Sequence, residues 1–444
     1  MKTNKITGFF VSLLLINLET MGAVSTQPQE SYQPAKDFQI NGYLRIRPEG
    51  RTGLNFDGGR ANSADFVGQK LQISFTKETE SGMIFKATLQ DARIWGGQTN
   101  SAIALDTGAE QASTDVREAY LMIPDAGFEN FDVKLGRQIF NYGDQRLVGS
   151  LDWTNIGRSF DAAWFSHKVE NTNILDGWIS VISEGNAKDI VNASQNQNKS
   201  DLIFYGIYDQ LSLGQITGLD LYYLGKLSVD DNSQKIHTGG LRFWHRPETG
   251  LDFTLETAAQ TGKLNGLNLQ SYAGTVQTGF SFVAGMKMRL GVETNYASGD
   301  ESNTDNKAQT FQNLFHTNHI HYGQADLISW QNMMGANLSY KIWILKNLTV
   351  TTTGHSYWRA QTSDSWYFVA GGTATSDAYI TSAAGNRSGK RHLFYEGDLT
   401  ISYKHSANLN FQAGLSYIAR GDAALDAGKS TDASFFYFFT EGRI

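Results

Sequence analysis

Residues 136–161, with the sequence GRQIFNYGDQRLVGSLDWTNIGRSFD, concentrate charged, aromatic and glycine residues between two predicted strands. Arg146 and Arg158 carry guanidinium groups, which bind carboxylates in a bidentate manner, and Trp153 offers a flat ring to a sugar. Three carboxylates are expected to hold these arginines when no solute is present: Asp144, Asp152 and Asp161. The stretch predicts a solute-binding constriction; the alternative is an internal ion-pair network that only fixes a loop.

Other candidates for chemistry are weaker. His316, His319 and His321 have no matched carboxylate partner in the sequence, so we expect ordinary polar residues rather than metal ligands. Glu396 and Asp398 share one face of a predicted strand, as a glycosidase pair would, but channel lining is the preferred interpretation. The chain has no cysteine, no glycine-rich phosphate loop and no Gly-x-Ser-x-Gly motif. The sequence predicts no enzyme activity, no catalytic residue, no metal and no cofactor.

The composition favours antiparallel β-structure outside the cytoplasm. The 444 residues include 45 glycines, 5 prolines and 12% aromatic residues, and the formal net charge of −7 gives no reason to expect a nucleic-acid partner. At the N-terminus, Lys2 and Lys5 precede the apolar residues 6–18. Because this run is shorter than the roughly 20 residues of a membrane-spanning helix, residues 1–25 are predicted to be a secretory signal peptide.

Long stretches alternate apolar and polar residues. In FQINGYLRIRPEG, Leu44 and Ile46 fall on one face of a strand and Arg45 and Arg47 on the other, because strand side chains alternate with period two. The segment KLQISFTKE repeats the pattern, and its apolar face consists of Leu71, Ile73 and Phe75. In a membrane barrel the apolar face meets lipid and the charged face lines the lumen.

Eighteen candidate strands follow from this pattern: 38–48, 66–78, 82–95, 114–123, 130–139, 160–169, 172–184, 201–209, 219–228, 235–246, 250–262, 268–281, 286–298, 328–341, 347–360, 391–405, 408–420 and 433–444. Their connections tend to alternate between long and short, as in outer-membrane barrels. A closed soluble barrel of this size would enclose a cavity too wide for side chains to fill. Residues 38–444 are therefore predicted to form an all-β transmembrane antiparallel β-barrel of about 18 strands in the bacterial outer membrane.

Aromatic residues near the predicted strand ends are expected to form girdles at the membrane interfaces. These residues are Trp178, Tyr222, Tyr223, Trp244, Trp330, Trp343 and Trp358.

Four motifs resemble those of one family. They are LQDARIWGG from Leu89, VREAYLMIP from Val116, the stretch at residues 136–161, and FQNLFHTNHIHYGQADLISWQN from Phe311. In this order they are similar to the alginate export family of outer-membrane porins. The resemblance implies an eighteen-stranded barrel with an arginine-rich conduit for an anionic polysaccharide. The sequence ends on Ile444 rather than on the terminal aromatic residue that outer-membrane insertion signals usually show. Phe436 and Phe438 are predicted to lie on the same outward face as Ile444.

The candidate conduit residues are those that face inward on the predicted strands, together with residues of the stretch 136–161. They are Arg45, Arg47, Arg146, Trp153, Arg158, Arg242, Arg246, Arg289 and Arg359. We expect the connection after the fifth strand to lie inside the barrel. The expected partners are outer-membrane lipid, an anionic polysaccharide or its oligosaccharides, and the barrel-assembly machinery. Two alternatives stay open at this point: a selective uptake porin for small anionic solutes, and a secreted carbohydrate-active enzyme or lectin.

Overall fold

The computed structural model of the protein describes residues 38–54, 56, 63–95, 113–169, 172–183, 201–229, 233–302, 304–370, 373–375 and 388–444. The predicted signal peptide, residues 1–25, lies outside these ranges and stays a prediction. Within them, no helix has the length and apolarity needed to cross a membrane.

Eighteen antiparallel strands in the described residues close into a barrel. Consecutive strands pair, and the first also pairs with the last, with Arg45 opposite Glu441 and Glu49 opposite Tyr437. Closure leaves no strand edge unpaired, as hydrocarbon surroundings require. The strands are β1 (Gln39–Thr52), β2 (Ser63–Glu78), β3 (Ile84–Ile94), β4 (Ser113–Ile123), β5 (Phe131–Gln138), β6 (Phe160–Val169), β7 (Asn173–Ser183), β8 (Leu202–Gly214), β9 (Thr217–Ser228), β10 (Gln234–His245), β11 (Gly250–Leu264), β12 (Leu267–Ala284), β13 (Met286–Ala297), β14 (Met333–Leu345), β15 (Leu348–Arg359), β16 (His392–Lys404), β17 (Leu409–Arg420) and β18 (Ala433–Arg443).

The two faces of each strand have opposite chemistry. On β1, Leu44 is 40% exposed on the outside while Arg45 is 1% exposed on the inside. On β2, Ile73 is exposed outward, and Lys70 is buried inside. The predicted barrel of eighteen strands, with its apolar residues directed to lipid, is confirmed.

Short elements lie in the connections. A two-residue strand, Lys307–Ala308, pairs with β12 in parallel, and Phe368–Ala370 pairs with Thr373–Thr375 in antiparallel orientation. A 3-10 helix spans Asn318–Ile320, and the helix α1 spans Asp422–Asp426.

Aromatic residues also pack inside the barrel. Trp178, Tyr222 and Trp330 are 4%, 7% and 0% exposed and belong to the buried core. They are not girdle residues, so this expectation is wrong for them. The predicted strand at 328–341 instead begins at Met333, because the residues before it belong to a connection that folds into the barrel.

Candidate functional site

The inner segment, residues 139–159, is the connection between β5 and β6 and folds into the lumen. It pairs there with the long connection, residues 298–332, which joins β13 to β14. Gly149 N donates to Phe315 O at 2.8 Å, and Phe315 N donates to Leu147 O at 2.9 Å. The two connections therefore support each other inside the barrel.

Asp144 anchors the first half of the inner segment. Its Oδ1 accepts hydrogen bonds from Arg242 Nη2 at 2.6 Å and from Arg246 Nη2 at 2.8 Å. Arg242 Nη1 also donates to Asp220 Oδ2 at 2.8 Å. Burial alone would raise the pKa of Asp144, but Arg242 and Arg246 hold it well below its usual value. The carboxylate stays ionised and ties the inner segment to β10.

Arg146 makes the second anchor. Its Nη2 donates to Glu293 Oε1 at 2.9 Å, and its Nη1 donates to the Tyr322 hydroxyl at 2.8 Å. Burial would lower the pKa of Arg146, but Tyr322 and Glu293 outweigh it and raise the pKa. Arg146 is thus a fully charged cation, neutralised by Glu293, that joins the inner segment to β13.

The first half also packs on a row of buried aromatic rings. Tyr142 lies against Trp178 and Tyr208, with both centroid distances 4.7 Å, and Tyr208 stacks on Tyr222 at 5.4 Å. Gly143 has φ of +57°, and a Cβ atom there would lie 2.8 Å from the Tyr208 hydroxyl. Glycine is required at this close approach, so the row of rings dictates a small residue at the turn.

The second half is held through its main chain. Arg45 Nη1 donates to Asp152 O at 2.9 Å and Arg45 Nη2 donates to Trp153 O at 2.8 Å. Lys70 Nζ donates to Asp152 O at 3.0 Å, and Arg47 Nη1 donates to Trp153 O. Cations of β1 and β2 therefore meet carbonyl dipoles of the inner segment.

Arg117 is a site residue that strand parity missed. Its Nη2 donates to Asp152 Oδ1 at 2.8 Å. The register between β3 and β4 shifts between Thr88 and Leu89, which leaves Arg117 as the extra residue of a bulge and turns it inward. Gly157 has φ of +75°, and a Cβ there would lie 2.8 Å from this guanidinium. A bulge of this kind leaves no signal in the alternation.

Trp153 is covered rather than open. It is buried, its ring stacks on His319 with centroids 3.6 Å apart, and the Arg47 guanidinium lies 4.2 Å from the ring centroid. Tyr437 adds an edge contact at 4.8 Å. The expectation that this ring presents a free face to a sugar is wrong for this structure.

The three acidic residues of the stretch do not pair with Arg146 or Arg158, so that expectation is wrong. Two of them, Asp144 and Asp152, bind cations of the wall. Asp161 faces outward on β6, because its neighbour Phe160 faces the lumen, and it pairs with Arg137 at 3.1 Å. Asp161 therefore does not order the inner segment.

Two predicted arginines lie away from the inner segment. Arg289 faces the lumen and pairs with Asp252 at 2.7 Å. Arg359 donates to Thr362 O at 3.0 Å and to Ser388 O at 2.7 Å, in the connection after β15. Neither contact involves the inner segment, so the structure does not bring these two residues to it.

The carboxylate of Glu396 contacts the long connection. Its Oε1 accepts a hydrogen bond from Ala325 N at 3.0 Å. Glu396 thus supports the long connection from β16 rather than the inner segment.

The histidines of the long connection are structural. Burial, reinforced by Arg158 for His316 and by Arg146 for His321, lowers the pKa of each to about 3. His321 Nε2 donates to Asp144 O at 2.7 Å. Within the described ranges, no group of three or more histidine or acidic residues is placed to hold a metal ion.

The geometry is that of a barrel whose lumen contains a charged segment, and the sequence comparison agrees with a channel. Residues 36–438 match the model of a family described as alginate export. The chain belongs to the alginate export family. A search of curated proteins finds no match.

Solved structures share the fold of this family member. OprD from Pseudomonas aeruginosa has a TM-score of 0.61 and 9% identity, covering 92% of this chain and 94% of that one. OccK2 (OpdF) of the same organism, in complex with glucuronate, has a TM-score of 0.59 and 14% identity over 92% and 98%. OpdK with vanillate has a TM-score of 0.58 and 13% identity over 92% and 98%.

Family membership and the closed barrel place the protein in the bacterial outer membrane as a channel. This location does not fit the alternative of a secreted protein.

Proposed function

We propose that the barrel passes an anionic polysaccharide, or oligosaccharides of it, across the outer membrane. The family description supports this proposal, because alginate is a polymer of uronate sugars and carries a carboxylate on each ring. The candidate conduit residues are the lumenal arginines predicted from the sequence.

The observation that carries the proposal is the basic surface around the inner segment. Wall cations approach it on both sides. Arg242 and Arg246 on one side share the carboxylate of Asp144. The other side has four cations, Arg45, Arg47, Lys70 and Arg117, against a single carboxylate of residues 150–159, Asp152, and is the more positive. A narrow lumen with low-dielectric walls strengthens the field of such charges and raises the local concentration of an anion. A polymer with many carboxylates is therefore attracted more strongly by this surface than a solute with one carboxylate.

A second candidate is uptake of small carboxylates. Two porins of the same fold were solved with carboxylate-bearing solutes, OccK2 with glucuronate and OpdK with vanillate. Both candidates use the same chemistry in the lumen, and they differ in the length of the solute.

We infer that the protein is a transporter and not an enzyme. The candidate partners besides the solute are outer-membrane lipid, which the exposed apolar belt suits, and the barrel-assembly machinery. Phe436 and Phe438 on β18 are exposed on the outer face, where such machinery would contact them.

The test is conductance across a planar bilayer. We expect anion preference in the reversal potential across a salt gradient. We also expect current block by oligouronates that deepens with chain length, while neutral oligosaccharides of equal length block weakly. Cation preference, or equal block by both classes, would contradict the proposal. Block by monomeric glucuronate as strong as that by the oligomers would favour the uptake candidate.

A further inference from the structure

Two cations in the lumen flank one phenylalanine. Arg158, at the end of the inner segment, has its guanidinium carbon 5.7 Å from the ring centroid of Phe315. Lys226, on β9, has its ammonium nitrogen 5.6 Å from the same centroid. Both side chains are half-buried, whereas Phe315 is 8% exposed. Both charges therefore lie close to the same ring, which forms an apolar floor beside them.

The floor is built from further aromatic rings. Phe315 packs against Phe204 at a centroid distance of 4.5 Å and against Phe160 at 5.5 Å, and both of these residues are buried. Rings of this kind exclude water and lower the local dielectric, so a charge above them acts more strongly on a partner.

Neither cation has an acidic partner among the described residues. Arg158 Nη1 donates to Gly149 O and to His316 O, both at 3.0 Å, and these acceptors are neutral. The side chain of Lys226 makes no salt bridge and no hydrogen bond within the part of the chain that the structure describes, and its ammonium group lies against the ring of Phe315. In contrast, Arg146 and Arg242 are each held by a carboxylate.

The electrostatic surroundings of Arg158 and Lys226 are positive. Burial, together with repulsion from Arg117, lowers the pKa of Arg158 to about 10. His316 is kept neutral by burial and by the nearby charges of Arg158 and Lys226, with its pKa lowered to about 3. A bound anion would relieve this repulsion, which paired cations such as Arg242 do not experience.

We propose that Arg158 and Lys226, which both lie at the ring of Phe315, form a binding subsite for a carboxylate group of the solute. The inference rests on the proposed function, and it names one place in the lumen where the solute is held. A guanidinium can meet a carboxylate with two hydrogen bonds, and the ammonium adds a third donor from the other side. The carboxylate can come from a uronate unit within a chain or from a small free acid.

The test compares Arg158→Gln, Lys226→Gln and the double variant with the wild type in bilayer block experiments. The ligands are an oligouronate, monomeric glucuronate and neutral glucose oligomers. The matched control is Lys235→Gln with Lys263→Gln, which removes two positive charges from the outward face, where these residues are exposed and lie opposite each other. A heat-dependent mobility shift on gels shows that each variant is folded.

We expect the double variant to need about tenfold or more oligouronate for half block, because one lost charge-assisted hydrogen bond alone has an effect of this size. The control variant should match the wild type. Loss of oligouronate block with glucuronate block retained would assign the subsite to the polymer, and parallel loss of both would show that it binds any carboxylate.

Two failures are distinguishable. If the wild type does not prefer oligouronates over neutral oligomers, the proposed function fails. If the wild type does prefer them and the double variant retains the same half-block concentration, the subsite alone is overturned. An equal loss of block in the outward-facing control would also overturn it, because net charge would then be the cause.

Discussion

The two halves of the inner segment are held by opposite chemistry. In residues 139–149, the segment contributes charged side chains, and Asp144 and Arg146 each pair with a charge of opposite sign on the wall. In residues 150–159, it contributes mainly main-chain carbonyls, which accept hydrogen bonds from cations of β1 and β2 such as Arg45. Its one carboxylate, Asp152, pairs with Arg117. The first half neutralises the charges of the wall that it contacts. The second half leaves much of the positive charge of the wall in place.

This difference separates anchoring from selectivity. A buried ion pair with both partners present adds little field at a distance, and its loss destabilises the protein because one charge is left alone. A cation that donates to carbonyls keeps its full charge, and carbonyl dipoles compensate it incompletely. We therefore expect changes in the first half to alter stability and changes in the second half to alter anion preference.

The largest expected effect comes from removing most of the second half. Deletion of residues 147–156 removes the carbonyls that bind Arg45 and Lys70 and leaves Asp144 and Arg146 in place. We expect single-channel conductance to rise several-fold because most of the inner segment no longer occupies the lumen. The measurement is conductance in planar bilayers, with folding checked by heat-dependent gel mobility.

One result of this deletion would contradict the distinction between an anchoring half and a half that controls permeation. If conductance and oligosaccharide block both stay unchanged, the segment is a structural loop with no part in the passage, and neither half controls permeation.

The barrel was predictable from the sequence because each strand specifies its own two faces. Leu44 and Arg45 are neighbours, and their chemistry alone assigns one to lipid and the other to the lumen. Contacts across the lumen were not predictable in this way. Asp144 was expected to pair with nearby arginines, but its partner Arg242 is 98 residues away in sequence. The alternation along a strand predicts which side chains point into the lumen, but it does not predict which of them contact each other.

Two further residues show where alternation stops being informative. Arg117 turns inward because of a bulge in β4, which shifts parity by one residue. Trp178 was expected at the membrane interface, but it packs against Tyr142 of the inner segment. The local alternation of a strand reveals neither a bulge nor a connection that folds into the lumen.

The next largest effect tests the anchoring half. Asp144→Asn leaves Arg242 and Arg246 without the carboxylate that they share, and breaking a buried pair in this way costs about 3–5 kcal/mol. The measurement is thermal or denaturant unfolding in detergent. The matched control is Asp161→Asn, whose exposed pair with Arg137 should change stability by about 0–1 kcal/mol. Equal costs for the two variants would contradict the distinction between anchoring and surface pairs.

The smallest effect concerns pH, because each half of the inner segment rests on one buried histidine. His321 Nε2 donates to Asp144 O in the first half, and His316 O accepts from Arg158 in the second. Burial, with nearby arginines, lowers the pKa of both histidines to about 3 in the folded state, against an ordinary value near 6.5 in the unfolded chain.

A depressed folded pKa means that the unfolded chain binds the proton first. Stability is therefore complete above the ordinary histidine pKa and is lost progressively as the pH falls from about 6.5 towards 3, by about 2 kcal/mol per histidine at pH 5. Asp144 adds nothing in the window from pH 7 to 5, because its pKa is held well below its usual value and it stays ionised in both states there. We expect His321→Gln and His316→Gln each to remove a similar share of the pH dependence of the unfolding free energy, measured from pH 7 to 5 relative to the wild type. An unchanged slope in one variant would show that its histidine takes up a proton in the folded barrel, and that half of the inner segment would then be open to water.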